Sequence, residues 1–186
     1  NTTALALTAE SGGGEYKGTA YYLNNVKATL NGEDLKDANI EYKVGDGEWT
    51  KEAPSATNVS DSLKNNISVR VSLEGYQTVT INDLSIEVTP KAVTVKANDA
   101  SKMYGENDPK FTATVTGTLN EDKIEYKVTR PGAGTDEAVK TYEDAIIAAG
   151  DKEQGNYTVT YEPGDFTINT NTTALALTAE SGGGEY

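Results

Sequence analysis

Apolar residues along this chain recur at every second position over short runs, and Gly, Asn, Asp and Pro interrupt those runs every few residues. That alternation is the signature of half-buried β-strands joined by tight turns. In the first half it predicts strands over Ala4 to Ala9, Tyr21 to Leu30, Ala38 to Val44, Ile67 to Leu73 and Tyr76 to Val88. In the second half it predicts strands over Val93 to Ala97, Phe111 to Thr116, Ile124 to Val128, Tyr157 to Tyr161 and Asp165 to Ile168. Gly45-Asp46-Gly47 suits a tight turn, because glycine tolerates positive φ. Pro90, Pro109, Pro131 and Pro163 all fall at predicted edges or turns, where the missing N–H costs nothing. One stretch is open: Val139, Tyr142, Ile146 and Ala149 fit a short helical face, while Ala145 to Ala148 fits a buried strand. The fold class is therefore all-β, with room for one short helix.

The same pattern repeats on two scales. Residues 1–16, NTTALALTAESGGGEY, recur without change as residues 171–186, an offset of 170. Such a match implies a tandem array with a 170-residue unit, cut 16 residues into its next copy, so that the chain ends are arbitrary. Within the unit, IEYKV occurs at Ile40 to Val44 and again at Ile124 to Val128; Leu5, Leu7 and Ala9 match Val93, Val95 and Ala97 at an offset of 88. Tyr16 and Tyr104 keep that offset, and TVTI at Thr78 to Ile81 answers TVTY at Thr158 to Tyr161 at an offset of 80. The reading is two domains, 1–90 and 91–170, followed by the first strand of the next copy in 171–186.

Composition narrows the chemistry. The chain has no cysteine and no histidine, which removes disulfides, thiolate and imidazole metal sites, His-based triads and the commonest general base. With 29 acidic against 16 basic residues and a net charge of −13, nucleic acid and anionic membranes would be repelled. No apolar run reaches the length of a membrane span, and the start has no signal-peptide pattern. Acidic residues spread through turns and strands read as solvated surface, not as glycosidase pairs. The acidic loops Asn31 to Asp37 and Glu106 to Asp108 lack calcium-loop spacing. Asn1, Asn58, Asn66, Asn156 and Asn171 each begin an N-x-S/T triplet, here a product of a Thr-rich composition. Trp49, the single tryptophan, is expected as a core anchor, and the eleven tyrosines as packing within strands.

Three motifs in the second half carry a family resemblance. KMYGENDP, Lys102 to Pro109, is similar to the K-x-Y-G-x-x-D-P turn of the MBG repeat family; FTATVTG, Phe111 to Gly117, is similar to its second strand; NYTVTYEPGDFTI, Asn156 to Ile168, is similar to its closing N-Y-x-V-x-Y-x-x-G-x-L-x-I. Thr141-Tyr142-Glu143-Asp144 departs from the family's Gly-Thr-Tyr turn. The first half, through YKG at Tyr16 to Gly18 and IEYKVGDGEWTKEAPSATNV, resembles the Ig-like modules that accompany MBG repeats. The resemblance implies two consecutive small β-sandwich or β-grasp-like domains and a secreted Gram-positive surface or cell-wall protein. It brings no catalytic residue, cofactor or metal.

The functional expectation is a non-enzymatic extracellular stalk, fibre or adhesin module whose partners are neighbouring repeats. The alternative is a module that binds a host glycan or protein. Gram-positive stalk domains often carry a Lys–Asn isopeptide bond, and here Lys96 and Asn169 are the natural pair, but alternation turns both outward. Residues 171–186 duplicate a strand, so Thr173, Leu175, Leu177 and Ala179 are candidates for head-to-tail strand exchange with another copy; the alternative, favoured for a free terminus, is a disordered or extended tail.

Overall fold

The computed structural model describes residues 4–134 and 137–177. Almost all regular structure in it is β. The first strands are β1 (Leu5–Glu10), β2 (Gly12–Glu15), β3 (Tyr21–Tyr22), β4 (Asn24–Leu30), β5 (Glu33–Asp34), β6 (Asn39–Val44), β7 (Ser55–Ala56), β8 (Leu63–Ser72) and β9 (Val79–Thr89). After them come β10 (Lys91–Ala97), β11 (Ala100–Met103), β12 (Ala113–Thr116), β13 (Lys127–Thr129), β14 (Thr141–Ala149), β15 (Glu153–Gln154), β16 (Tyr157–Glu162) and β17 (Gly164–Asn169). A single 3-10 turn, Val59–Asp61, is the helical element among the described residues.

The chain packs as two compact units. Unit 1 is built from the chain up to Val95, from Val115–Tyr126 and from Gly150–Tyr161; unit 2 is built from Lys96–Thr114, Lys127–Ala149 and the chain from Glu162 onward. Unit 1 contains a four-stranded sheet in the order β2-β9-β8-β6, a three-stranded sheet β1-β4-β5 and the β3-β7 pair. Its core is the set of alternating residues that these sheets turn inward: Leu7 and Ala28 from one, Ile67, Val69, Val71, Ile86 and Val88 from the other. Each buried Leu, Ile or Val among these stabilises the fold by roughly 1.5–3 kcal/mol. Unit 2 contains the sheet β11-β17-β14-β13, around a core of Phe166, Ile168, Ile146 and Ala97.

Two of the three four-stranded sheets, β2-β9-β8-β6 and β11-β17-β14-β13, are built by the same device. In unit 1, β2 runs parallel to the end of β9, from Gly12 opposite Ile86 to Glu15 opposite Thr89; in unit 2, β11 runs parallel to β17, from Ala100 opposite Phe166 to Met103 opposite Asn169. The Tyr16 N–H donates to the Thr89 carbonyl at 2.8 Å, and the Tyr104 N–H donates to the Asn169 carbonyl at 2.8 Å. Both sheets carry a left-handed bulge at an equivalent place, Asn65 (φ 49°) in β8 and Asp144 (φ 51°) in β14, and the unit 1 sheet has a second left-handed residue at Asp83 (φ 60°) in β9. Side chains bridge the bulges alike: Asn65 N–H donates to Ser85 Oγ at 2.8 Å and Asp144 N–H to Asp165 Oδ1 at 2.9 Å. The strands that bridge these bulges are also tied to the residue between the two early strands, Ser85 N–H to Ser11 Oγ at 2.9 Å and Asp165 N–H to Asp99 Oδ1 at 2.8 Å.

Some sequence expectations need correction. Residues Thr141–Ala149 are a strand, which closes the helical alternative: Ile146 and Ala148 point inward on alternate positions, while Val139 and Ala149 are exposed. Trp49 is no core anchor. It is half-buried beneath the Arg70 guanidinium, 4.3 Å from its ring, with Lys43 Nζ at 5.2 Å. Arg70 alternates with the buried Val69 and Val71, so Trp49 covers the outer face of the sheet, where cationic side chains stack on it. The predicted strand at Tyr76 begins only at Val79. Lys96 and Asn169 are both exposed, as alternation requires.

The strand β2 has the sequence GGGE, a composition that strand propensity disfavours, yet contact requires it. A Cβ on Gly12 would lie 1.8 Å from the Tyr22 carbonyl oxygen, and one on Gly13, at φ +125°, 2.0 Å from that of Glu87. Gly13→Ala is therefore expected to destabilise unit 1 by about 2–3 kcal/mol, seen as a lower urea midpoint. An unchanged midpoint would show that β2 is not seated on β9.

Candidate functional site

Unit 2 gathers four charged side chains from separate stretches of chain. Lys102 comes from β11, Asp108 from the loop six residues on, Arg130 from the end of β13, and Glu137 from the approach to β14. Arg130 grips Asp108 with two bonds, Nε to Oδ2 at 2.9 Å and Nη2 to Oδ1 at 2.7 Å. Its Nη1 donates to Glu137 Oε1 at 2.5 Å. Lys102 Nζ stands 2.8 Å from Asp108 Oδ1 and 2.7 Å from Glu137 Oε2. This Oε2 is buried and is met by the Lys102 ammonium as an ion pair. The Arg130 side chain is 3% exposed and lies 4.1 Å from the Phe166 ring centre; Phe166 packs edge-on to Phe111 at 5.7 Å.

These contacts hold every member in its charged form. Hydrogen bonds from Arg130, then Lys102, lower the Glu137 pKa from 4.5 to about 2. Asp108 is lowered by the same two partners, Arg130 first. Lys102 is raised by Asp108, then Glu137. Arg130 is raised above its already high value by the same carboxylates. A carboxylate so held is neither acid nor base near neutral pH, and an ammonium so held is no nucleophile. A Lys102–Asp108 amide bond would need a neutral amine and a protonated acid, and the neighbouring Arg130 opposes the second directly. The cluster is a clamp that ties three loops over the Phe166 side of the sheet. Beside it lies an open recess of about 490 Å³, lined among others by Tyr104, Glu106 and Asn107.

Unit 1 has a second polar knot, around Tyr16. This residue follows β2 and is 6% exposed, with its ring edge-on to Tyr157 at 5.5 Å. Both hydroxyls reach Asp122 Oδ2: Tyr157 donates at 2.6 Å and Tyr16 at 3.4 Å. The Leu119 N–H donates to the Tyr157 hydroxyl at 3.0 Å. Burial first, and the Asp122 carboxylate second, push the Tyr157 pKa up to about 12. Alongside, Asn156 accepts from the Val59 N–H at 2.8 Å and donates to Asn58 Oδ1 at 2.9 Å. Lys91 Nζ donates to Glu15 Oε1 at 3.1 Å. Two of the N-x-S/T asparagines are thus engaged, Asn156 donating to Asn58 and Asn58 donating in turn to Asp61 Oδ2 at 2.9 Å.

The strand-exchange candidates lie beyond β17. Thr173, Leu175 and Leu177 belong to no strand, and Leu175 and Leu177 are 97% and 93% exposed. Ala179 lies outside the described residues. Leu7, which has the same sequence context as Leu177, is 9% exposed in β1. Of the acidic loops weighed for calcium, Asp108 is committed to Arg130 and Lys102, and Asp34 to Lys27 at 2.5 Å. Among the described residues no group of three or more acidic side chains could hold a metal ion.

The family turn is where these observations converge, since its Lys102 and Asp108 are the clamp's first two members. Residues 93–167 match the MBG domain (YGX type). The matched segment contains the whole clamp, Tyr104-Gly105 at its corner, and Asp122 and Tyr157. No curated protein and no solved structure matches the chain. No helix among the described residues is long and apolar enough to cross a membrane.

Sequence reasoning took Lys102 to Asp108 as a turn and passed over Arg130, Glu137 and Asp122. A weak signal existed for Asp122, since TLN precedes acidic residues at both Thr29–Asn31 and Thr118–Asn120.

Two measurements test these knots. A carboxylate with a depressed pKa stabilises the fold above its ordinary value and loses that contribution as pH falls, here from 4.5 towards about 2. Glu137→Gln is thus expected to be less stable than the parent at neutral pH but to lose less stability across that acid window, read by urea unfolding. Parallel profiles would refute a charged Glu137. The raised Tyr157 has the opposite sense: its neutral form stabilises the fold below pH 10.0, and the contribution fades between there and about 12. Tyr157→Phe is expected to cost about 1 kcal/mol at neutral pH and to flatten the alkaline limb of the same curve.

Proposed function

We propose that the chain is a load-bearing structural module of an extracellular stalk, in which 170-residue units, each of two related β domains meeting near Thr89-Pro90, follow one another in tandem. The observation that carries this reading is the parallel pairing of β2 with the end of β9 and of β11 with β17. When an early strand runs parallel to a closing strand, tension on the two chain ends pulls them past each other. The inter-strand bonds are then loaded together in shear instead of opening one by one. The 16-residue identity between residues 1–16 and 171–186 supports the array. Absent histidine and cysteine, and a charge cluster locked against proton transfer, support a mechanical over a catalytic role. The match of residues 93–167 to the MBG domain supports a surface location.

Single-molecule pulling between the two ends of the chain tests this. Two resolved force peaks are expected, with Gly13→Ala lowering one and leaving the other. Extension at negligible load would reject the stalk. Selective binding of the chain on a glycan array would instead favour a recognition module, for which the recess beside Tyr104 and Glu106 is the place to look.

A further inference from the structure

Tyr16 and Tyr104 end the same strand at the same corner of equivalent sheets, each with its N–H on the last carbonyl of the closing strand. Their surroundings differ. Tyr16 is 6% exposed, whereas Tyr104 is 49% exposed. What covers Tyr16 is the turn Leu119 to Asp122 together with Tyr157. Beside Tyr104 lies a recess of about 530 Å³ that it shares with Val139 and Leu175.

The missing cover has a counterpart elsewhere in the chain. Asn120 and Glu121, in the turn that covers Tyr16, are left-handed at φ 52° and 60°; Asn31 and Gly32, in the turn between β4 and β5, are left-handed at φ 56° and 87°. Both turns follow Thr-Leu and lead, two residues after the asparagine, to a carboxylate, Asp122 in one and Glu33 in the other. Tyr157 follows Gly155 (φ 58°) by two residues, as Gln77 follows Gly75 (φ 83°). The Asn31–Asp34 turn is fully exposed, and Tyr76 and Gln77 line an open recess of about 380 Å³ with Leu5.

We propose that the face carrying Tyr104 and Val139 docks the Asn31–Asp34 and Tyr76–Gln77 face of another copy of residues 4–89, repeating the joint that already buries Tyr16. Glu33 takes the place of Asp122 and accepts from the Tyr104 hydroxyl, while Asp34 keeps its ion pair with Lys27, and Gln77 takes the place of Tyr157. The occupant is named by sequence: Asn171, Thr173 and Leu175 line this face, and they open the segment 171–186 that repeats residues 1–16. The joint rests on the stalk reading and deepens it, because a buried tyrosine at every junction would stiffen the array.

The test uses the chain lengthened by one further 170-residue unit, so that only the first unit's Tyr104 has a domain after it. Amide exchange at Asn31–Asp34 of the second unit is expected to be about tenfold slower than at the same turn of the first. Tyr104→Ser in the first unit is expected to abolish that difference, while the same substitution in the second unit leaves it. Because any local cost of the substitution is the same at both positions, only docking separates them. Equal exchange at the two turns, or equal effects of the two substitutions, would overturn the joint. Pulling reads the stalk separately: domains that resist force with equal turn exchange would keep the stalk and remove the joint.

Discussion

The parallel contact between a strand that follows a tight corner and the strand that closes the sheet organises both units. In each, the early strand cannot pair until the last one is in place, so the contact joins residues about 65–75 positions apart and must wait for the intervening chain to fold. Once made, it sets the positions of Tyr16 and Tyr104 at the corner, the left-handed bulge in the neighbouring strand, and the side chains that bridge that bulge. The glycines of β2 exist for this contact, since their backbone approaches Tyr22 and Glu87 too closely for any side chain.

The two units reach the same geometry with different chemistry. At the bulge, Asn65 meets a serine and Asp144 meets an aspartate acting as acceptor. β11 is secured by an ion cluster under which Phe166 is fully buried, whereas β2, made of glycine, is secured by backbone proximity. A buried cluster of two cations and two carboxylates is not by itself a large source of stability. Its role here is geometric: the four charges tie together stretches around Lys102, Asp108, Arg130 and Glu137 beside the Tyr104 corner.

The charged groups that are concentrated in space are those whose protonation is locked, and the exposed acids elsewhere are scattered. The most buried polar knot in unit 1, Tyr16 with Asp122 and Tyr157, fastens segments far apart in the chain to each other and leaves no open cleft between its hydroxyls.

Periodicity alone was enough for the all-β class, for most central strands and for the exact repeat, because alternation and identity are local properties that survive any tertiary arrangement. Lys96 and Asn169 were placed outward on the same ground. The Gly-rich β2 was invisible, since its reason is steric contact with Glu87, and no propensity encodes a partner more than seventy residues away. Trp49 was misplaced because hydrophobicity does not say which face of a sheet a residue covers; Arg70 and Lys43 decided it. Strand β14 could not be told from a helix until Phe166 and Gly164 paired with it. Arg130 and Glu137 carry no motif of their own and acquire a role only when folding brings them to Lys102 and Asp108. The sequence by itself determined what repeats; the tertiary structure decided what each repeat holds together, because parallel pairing and charge clustering depend on which distant residues meet.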